Sequence, residues 1–205
     1  MAAEDARVRA ELAATGALFD GYHPRMEAVH RANARRLAAV FDAVGWPGVA
    51  RVGRDAAEAA WRVVQHAVGE PAFVRRGLAL LRDAVLRGDA EPAQLAYLED
   101  RVATLEGRPQ RYGTQFDWDD AGLLSPRPLD DPDGVDARRR SLGLDSLAER
   151  TAAMRARAAA EGEVPPPDAA ARRRAAAAWA VSAGWRPAAG GAGGRSPAPD
   201  GSSAP

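Results

Sequence analysis

The sequence predicts a mainly α single domain of five or six helices with a small β-hairpin, followed by a disordered tail. Apolar residues recur at helical spacing over residues 24–106, and proline or glycine stands at the ends of each run. This periodicity then stops, which indicates a non-helical segment before a final helix. From residue 161 the composition changes to Pro, Ala, Gly and Arg. We therefore expect a helical globular domain over residues 1–160 and a disordered tail over residues 161–205.

The first predicted helix begins at Pro24, which suits a first helical turn, and ends before Gly45. Asn33, the only asparagine in the chain, lies on the apolar face of this helix, and His30 flanks that face. Because an unpaired buried amide costs about 1–3 kcal/mol, Asn33 either organises neighbouring backbone or lines a polar pocket. Gly45 also opens a Gly-Trp-Pro turn, in which Trp46 either packs in the core or lines a cleft.

A second helix is predicted over residues 56–68. Asp55 and Glu58 have the spacing of a capping box at its start. The helix is apolar nearly all round, which is typical of a buried central element. Gln65 and His66 lie near its end, so we expect both side chains to be held rigidly beside a pocket.

A short β-hairpin is predicted beyond the central helices. Its arms are residues 110–118 and 122–129, and Pro126 and Pro128 confine the second arm to an edge or an extended stretch. The same start and stop signals predict the remaining helices, which cover residues 71–87, 92–106, 136–141 and 145–159.

The predicted tail carries the run Pro165-Pro166-Pro167 and few apolar side chains, a composition typical of disorder. Alanine and arginine are strong helix formers, so a transient helix is predicted over residues 169–183. Trp179 and Trp185 are unusual residues to leave in water. One hypothesis is that these two indoles dock on the domain.

Composition excludes several kinds of chemistry and partner. The chain has no cysteine, hence no disulfide and no thiolate nucleophile or ligand. Its 28 basic residues are all arginine, which excludes Schiff-base catalysis and a phosphate-loop lysine. A formal net charge of zero gives no general attraction to nucleic acid, and we expect no nucleic-acid partner. The acidic start and the lack of a long apolar run favour a soluble cytoplasmic protein without membrane association, and the oligomeric state stays open.

Five short motifs stand out against an alanine- and leucine-rich background. The most informative is Pro109-Gln110-Arg111-Tyr112-Gly113-Thr114-Gln115, because it holds two of the four glutamines in the chain. The others are Gly45-Trp46-Pro47, Gln65-His66-Ala67, Ala96-Tyr97-Leu98-Glu99-Asp100-Arg101 and Arg138-Arg139-Arg140-Ser141-Leu142-Gly143-Leu144. Together they resemble a bacterial family of unknown function with the patterns GWP, QHA, DR, PQxYGTQ and RRxxGL. The resemblance covers roughly residues 24–150 and implies one shared site, but it supplies no chemistry.

His66 is the best candidate for proton transfer, because histidine titrates near neutral pH. Its alternatives are a hydrogen-bonded structural role and metal ligation. His23, His30 and His66 lack HExxH or HxH spacing, so no metal site is predicted; a scattered site of histidines and carboxylates would come only from the fold. Asp100 is the second candidate catalytic residue, with the role of orienting His66 or another polar group.

The sequence therefore favours acid/base, hydrolase-like chemistry on a small polar substrate, with Arg101 or Arg111 as a clamp for a carboxylate or phosphate. A competing hypothesis is a non-catalytic module that binds a ligand or a protein through the same loop. A third is that the motif residues only stabilise the fold. No GxGxxG or phosphate loop is present, and the cofactor stays open. The predicted substrate-binding residues are Asn33, Trp46, Gln65, Arg101, Gln110, Tyr112, Thr114 and Gln115.

Overall fold

Helices and one small hairpin make up the computed structural model, which describes residues 2–16 and 22–188. Statements about the structure refer to these residues. The helices are α1 (Ala2–Ala14), α2 (Pro24–Val44), α3 (Val49–Val52), α4 (Arg54–His66), α5 (Pro71–Leu86), α6 (Pro92–Leu105), α7 (Val135–Arg140), α8 (Leu147–Ala160) and α9 (Ala169–Ser182). The strands are β1 (Phe116–Trp118) and β2 (Leu124–Pro126). The predicted mainly α fold with a hairpin beside the YGTQ motif is confirmed.

The main core forms where α2, α4, α5 and α6 pack against one another. Trp46 belongs to this core: it is 4% exposed and its ring stacks on Phe41 at a centroid distance of 5.7 Å. The α4–α5 contact is close, because a Cβ atom on Gly77 would lie 2.8 Å from the Val64 Cγ1 atom. Of the two roles predicted for Trp46, the structure therefore gives it the packing role.

The hairpin is shorter than its two predicted arms. β1 pairs with β2 in antiparallel register, with Asp117 opposite Ser125. The Asp119 carboxylate closes the turn by accepting hydrogen bonds from the backbone N–H groups of Ala121 and Leu123. Pro126 ends the second strand, since proline has no N–H to continue a ladder.

Two helix starts differ from the sequence-based expectation. Asp55 does not form the predicted capping box, because α4 already begins at Arg54 with Gly53 as its N-cap, which places Asp55 inside the first turn. A capping box does form at α8, where the Ser146 hydroxyl and the Glu149 carboxylate bond each other's backbone N–H groups. Helices α1 and α3 were not predicted from the sequence.

Part of the predicted tail packs on the domain. Helix α9 lies between residues 161 and 188, and the Trp185 indole after it is 3% exposed in the main core. Its Nε1–H donates to the Val68 carbonyl at 2.7 Å. Burial of this large ring outweighs the Ala- and Arg-rich composition that indicated disorder from residue 161. The rest of the predicted tail, residues 189–205, lies outside the described residues.

Within the described chain, no helix is both long enough and apolar enough to cross a membrane.

Candidate functional site

Three helices bring together one carboxylate and two imidazoles, which we name the histidine cluster: Asp5 on α1, His30 on α2 and His66 at the end of α4. The His66 Nδ1 atom lies 2.7 Å from Asp5 Oδ2, a hydrogen bond, and His30 Nε2 lies 3.5 Å from the same oxygen. The side chains of Asp5 and His30 are each 9% exposed, whereas that of His66 is 33% exposed. His66 is therefore the member of the cluster that solvent or a ligand reaches.

Packing of α1 on α2 creates this cluster. Val8 and Leu12 on α1 are buried against Met26 on α2. Asp5 lies one turn before these apolar residues, so the same packing buries its carboxylate. The contact between Asp5 and His66 spans 61 positions of sequence, which no local pattern indicates.

Tyr22 holds His30 from the other side. Its hydroxyl lies 2.8 Å from His30 Nδ1, and the two rings stack at a centroid distance of 5.7 Å. The Tyr22 ring also meets Trp179 of α9 edge-on at 5.6 Å. Burial raises the pKa of the Tyr22 hydroxyl well above its usual range. The hydroxyl thus stays protonated at neutral pH. The other ring nitrogen of His30, Nε2, is buried and has no hydrogen-bond partner in the described chain.

The Asp5 carboxylate is stabilised in its charged form. Burial alone would raise its pKa, but the interactions of the carboxylate with His30 and His66 outweigh burial and hold the pKa well below its usual range. Asp5 is therefore an anion at every pH at which the protein is ordinarily handled, and it stabilises positive charge on either ring.

A pH-dependent stability difference follows for Asp5. A depressed carboxyl pKa in the folded state stabilises the fold above the unfolded-state pKa of about 3.9, and this contribution is lost as the pH falls toward the folded value. We expect Asp5→Asn to unfold more readily than the parent at pH 7, and the gap to narrow below about pH 4. Urea titrations of both proteins at a series of pH values measure this gap. A gap that stayed constant down to pH 2 would contradict the prediction.

The histidine cluster also has the composition of a metal site. Its three residues offer one ligand atom each, and these atoms lie within 4.8 Å of one another. Two imidazoles and a carboxylate suit divalent transition metals. The sequence-based prediction of no metal site was drawn from histidine spacing and the absence of cysteine, and the fold supplies a scattered donor set that neither reveals.

Of the two partners predicted for Asp100, His66 or another polar group, the contacts of this residue are with other polar groups. It is fully buried, and its carboxylate accepts hydrogen bonds from the backbone N–H groups of Arg111, Tyr112 and Thr114 and from the Thr114 hydroxyl, at 2.7–3.0 Å. All of these donors belong to residues 109–115, which we call the YGTQ loop. The carboxylate that contacts His66 is Asp5, and Asp100 instead holds this loop.

Gln110 also fixes the loop from within. Its side-chain amide donates to the carbonyls of Gln115 and Arg127, and its Oε1 atom accepts the Gln115 N–H at 2.8 Å. Arg139 donates to the Tyr112 carbonyl from outside. At Gly113 the backbone has φ +67°, and a Cβ atom there would lie 2.5 Å from Leu147 Cδ1. These contacts account for most of the polar groups in the motif.

Arg101, next to Asp100 on α6, points elsewhere, as the turn of about 100° per helical residue requires. It donates to the Gln65 carbonyl at 3.3 Å, and its Nε atom is buried without a partner in the described chain. Burial lowers the pKa of its guanidinium, and the positive charge of Arg9 lowers it further. Arg101 forms no ion pair with a carboxylate of the described residues, whereas Arg127 and Arg173 do.

Arg101 lines a cleft of about 390 Å³ that we name the arginine cleft. A wider cleft of about 1120 Å³ adjoins it and reaches Tyr22, and the two share Arg127, Arg173, Ala176 and Trp179. His66 itself lines neither of these clefts. The residues around the arginine cleft are Arg101, Thr104, Leu105, Gln115, Phe116, Arg127, Arg173, Ala176, Ala177, Trp179, Ala180 and Arg186.

The predicted site residues thus fall into separate groups. Gln65 and His66 neighbour Arg101, and Gln115 shares the arginine cleft with Arg101. Asn33 is buried on α2, one turn beyond His30. Sequence reasoning missed Asp5 altogether, because α1 was not predicted. The groups that hold the loop are Asp100, Gln110, Tyr112 and Thr114.

Comparison with known proteins assigns the chain to one family. No curated protein and no solved structure matches the chain. Residues 3–159 match a family of unknown function (DUF6624), and this range contains the histidine cluster, the YGTQ loop and Arg101 but ends before α9. The chain therefore belongs to the family of unknown function DUF6624.

Proposed function

We propose that the protein catalyses an acid/base, hydrolase-like reaction on a small polar substrate, with His66 as the group that exchanges a proton. The observation that carries this proposal is the 2.7 Å hydrogen bond between His66 Nδ1 and the buried Asp5 carboxylate. A carboxylate on one ring nitrogen fixes the tautomer of a catalytic histidine and stabilises the imidazolium that forms. Asp5 takes the orienting role that the sequence suggested for Asp100.

The proton would be exchanged at His66 Nε2. With Nδ1–H donated to Asp5, Nε2 carries the lone pair, and it has no hydrogen-bond partner in the described chain. When this atom accepts a proton from water or from a substrate hydroxyl, the positive charge on the ring lies beside the Asp5 anion. Proton transfer by a positioned side chain contributes typically about 10²–10⁴-fold to rate.

Arg101 would bind an anionic group of the substrate away from the reacting atom, because His66 does not line the cleft that contains Arg101. Its guanidinium bonds the carbonyl of the residue before His66, so an anionic group bound at Arg101 lies near the end of α4. Three of the predicted substrate-binding residues would support the pocket without touching the substrate: Asn33, Tyr112 and Thr114.

The non-catalytic alternative is a module that binds a ligand through the YGTQ loop and the arginine cleft. The orphaned Arg101 Nε atom favours binding of an anion and requires no proton transfer. Only the catalytic function predicts turnover of a substrate, so an activity measurement separates it from the non-catalytic alternative.

The test is a screen with chromogenic esters, phosphates and glycosides, followed by variants on any hydrolysed substrate. We expect His66→Asn to lower kcat by about 10²–10⁴-fold. His23→Asn is the matched control, because His23 is the N-cap of α2, asparagine is an equally good cap, and it lies outside the cluster. Equal loss in both variants would contradict the proposal.

A chelator adds a second arm to this test. Activity that survives EDTA supports a free imidazole at His66. Activity that EDTA abolishes and a divalent metal restores would overturn the role of His66 as a base and assign the cluster to a metal ion.

A further inference from the structure

Helix α9 lies outside the part of the chain that matches the family, yet it forms one wall of the arginine cleft. The family match ends at residue 159, and α9 begins at Ala169. Arg173 and Trp179 of this helix line the cleft together with Arg101 and Gln115 of the domain. The segment that follows α9 fixes the helix in place through Trp185, which is buried in the main core.

The lining of the cleft is strongly cationic. Four arginines line it, and no carboxylate is among its lining residues. Two of these arginines have acidic partners: Arg127 pairs with Asp117, and Arg173 pairs with Asp120, whose side chain is 90% exposed. An ion pair with so exposed a carboxylate is weak, so the Arg173 guanidinium is available to another anion.

The other two arginines bond only backbone carbonyls in the described chain. Arg186 donates to the carbonyls of Thr104 and Leu105, which caps the end of α6 and explains its position. Arg101 likewise donates from Nη1 to the Gln65 carbonyl in the last turn of α4, but its Nε atom is buried and has no partner in the described chain. A buried guanidinium without a counter-ion is costly, and a bound anion would remove that cost.

We propose that the arginine cleft binds a small oxyanion, a phosphate or a carboxylate group, between Arg101 and Arg173, so that α9 contributes to substrate selection. Guanidinium groups form paired, charge-assisted hydrogen bonds with both kinds of oxyanion. Gln115 and Trp179 also line the cleft, and they contribute an amide and an apolar ring for the rest of the ligand. A volume of about 390 Å³ suits a small molecule and not a macromolecule.

The claim that α9 contributes to substrate selection rests on the proposed function. The anion site itself is tested by measuring binding, without turnover. Calorimetric titration and thermal shift are measured with inorganic phosphate and with succinate, against sodium chloride at the same ionic strength. Binding of phosphate, of succinate or of both above the chloride background is expected, and the stronger ligand identifies the oxyanion. No binding above chloride with either anion overturns the inference.

Variants locate the binding site. Arg101→Gln and Arg173→Gln are each expected to weaken anion binding about tenfold or more, the scale of one charged hydrogen-bond contact. Arg174→Gln is the matched control, because Arg174 is exposed on the same helix and does not line the cleft. Arg173→Gln keeps the test valid even where loss of buried Arg101 impairs folding. Equal weakening in the Arg173 and Arg174 variants overturns the inference.

His66→Asn separates this inference from the proposed function. We expect this variant to bind the anion as tightly as the parent while it loses turnover. Intact binding in a parent protein that turns over no substrate would contradict the proposed function and leave the anion site standing. Turnover that depends on His66 in a protein that binds neither anion would support the proposed function and contradict the anion site.

Discussion

Replacing Asp100 with alanine is expected to lower the free energy of unfolding by about 3 kcal/mol or more. The substitution removes the acceptor for three backbone N–H groups of the YGTQ loop and for the Thr114 hydroxyl, all of them at least partly buried. Each buried donor left unpaired costs about 1–3 kcal/mol, and a domain of this size is stabilised by only about 5–15 kcal/mol. Urea unfolding followed by circular dichroism measures the change.

Two further variants test this prediction. Asp83→Ala removes an exposed carboxylate from α5 and is expected to change stability by no more than about 0.5 kcal/mol. Asp100→Asn keeps one acceptor oxygen and is expected to lie between alanine and the parent. A loss below about 1 kcal/mol for Asp100→Ala would show that the loop finds other hydrogen-bond partners.

Replacing Trp185 with alanine is expected to cost about 3–5 kcal/mol, the range measured for large aromatic residues in cores. The indole is 3% exposed, donates to the Val68 carbonyl, and lies under the Arg75 guanidinium at 4.9 Å. Its loss leaves a cavity in the main core and removes the contact that holds α9. Residues 161–188 should then become sensitive to proteolysis while α2 to α6 stay folded.

Leu86→Ala serves as the control for this prediction, because Leu86 is 81% exposed and its removal leaves no cavity. Limited proteolysis with mass spectrometry locates the cleavage sites, and thermal unfolding gives the loss of stability. If the Trp185 variant melted with the parent, or if a chain ending at residue 160 kept full stability, docking of α9 would not stabilise the domain.

The elements that local pattern predicts well are the central helices. Helices α2, α5 and α6 begin at Pro24, Pro71 and Pro92 as predicted, because proline at a first turn is a strong local signal. Helix α1 was missed because its apolar stripe within the described chain is short, with Val8 and Leu12 as its buried hydrophobic residues. A helix with so thin a stripe takes its stability from packing on a partner, which the sequence does not display.

Local sequence pattern also reveals only part of the candidate site. Scarcity near a helix end indicates Gln65 and His66, and the Asp100-Arg101 motif indicates Arg101. In the fold Arg101 bonds the Gln65 carbonyl, so these residues are neighbours. The role of Asp5 depends on a contact between residues 61 positions apart. The Asp100-Arg101 motif suggested that Asp100 orients His66 or another polar group; in the fold its oxygen atoms accept hydrogen bonds from the YGTQ loop.

Asp100 and Arg101 are consecutive residues of α6, and this adjacency affects how a mutational screen of the protein should be interpreted. The first residue holds the YGTQ loop, which carries Gln115, and the second lines the cleft that Gln115 shares. A variant at Asp100 would therefore lose activity through a collapsed loop, and an activity score alone would rank it with His66. Measuring the amount of folded protein beside activity distinguishes the two, because only variants that fold normally and fail to turn over substrate report on chemistry.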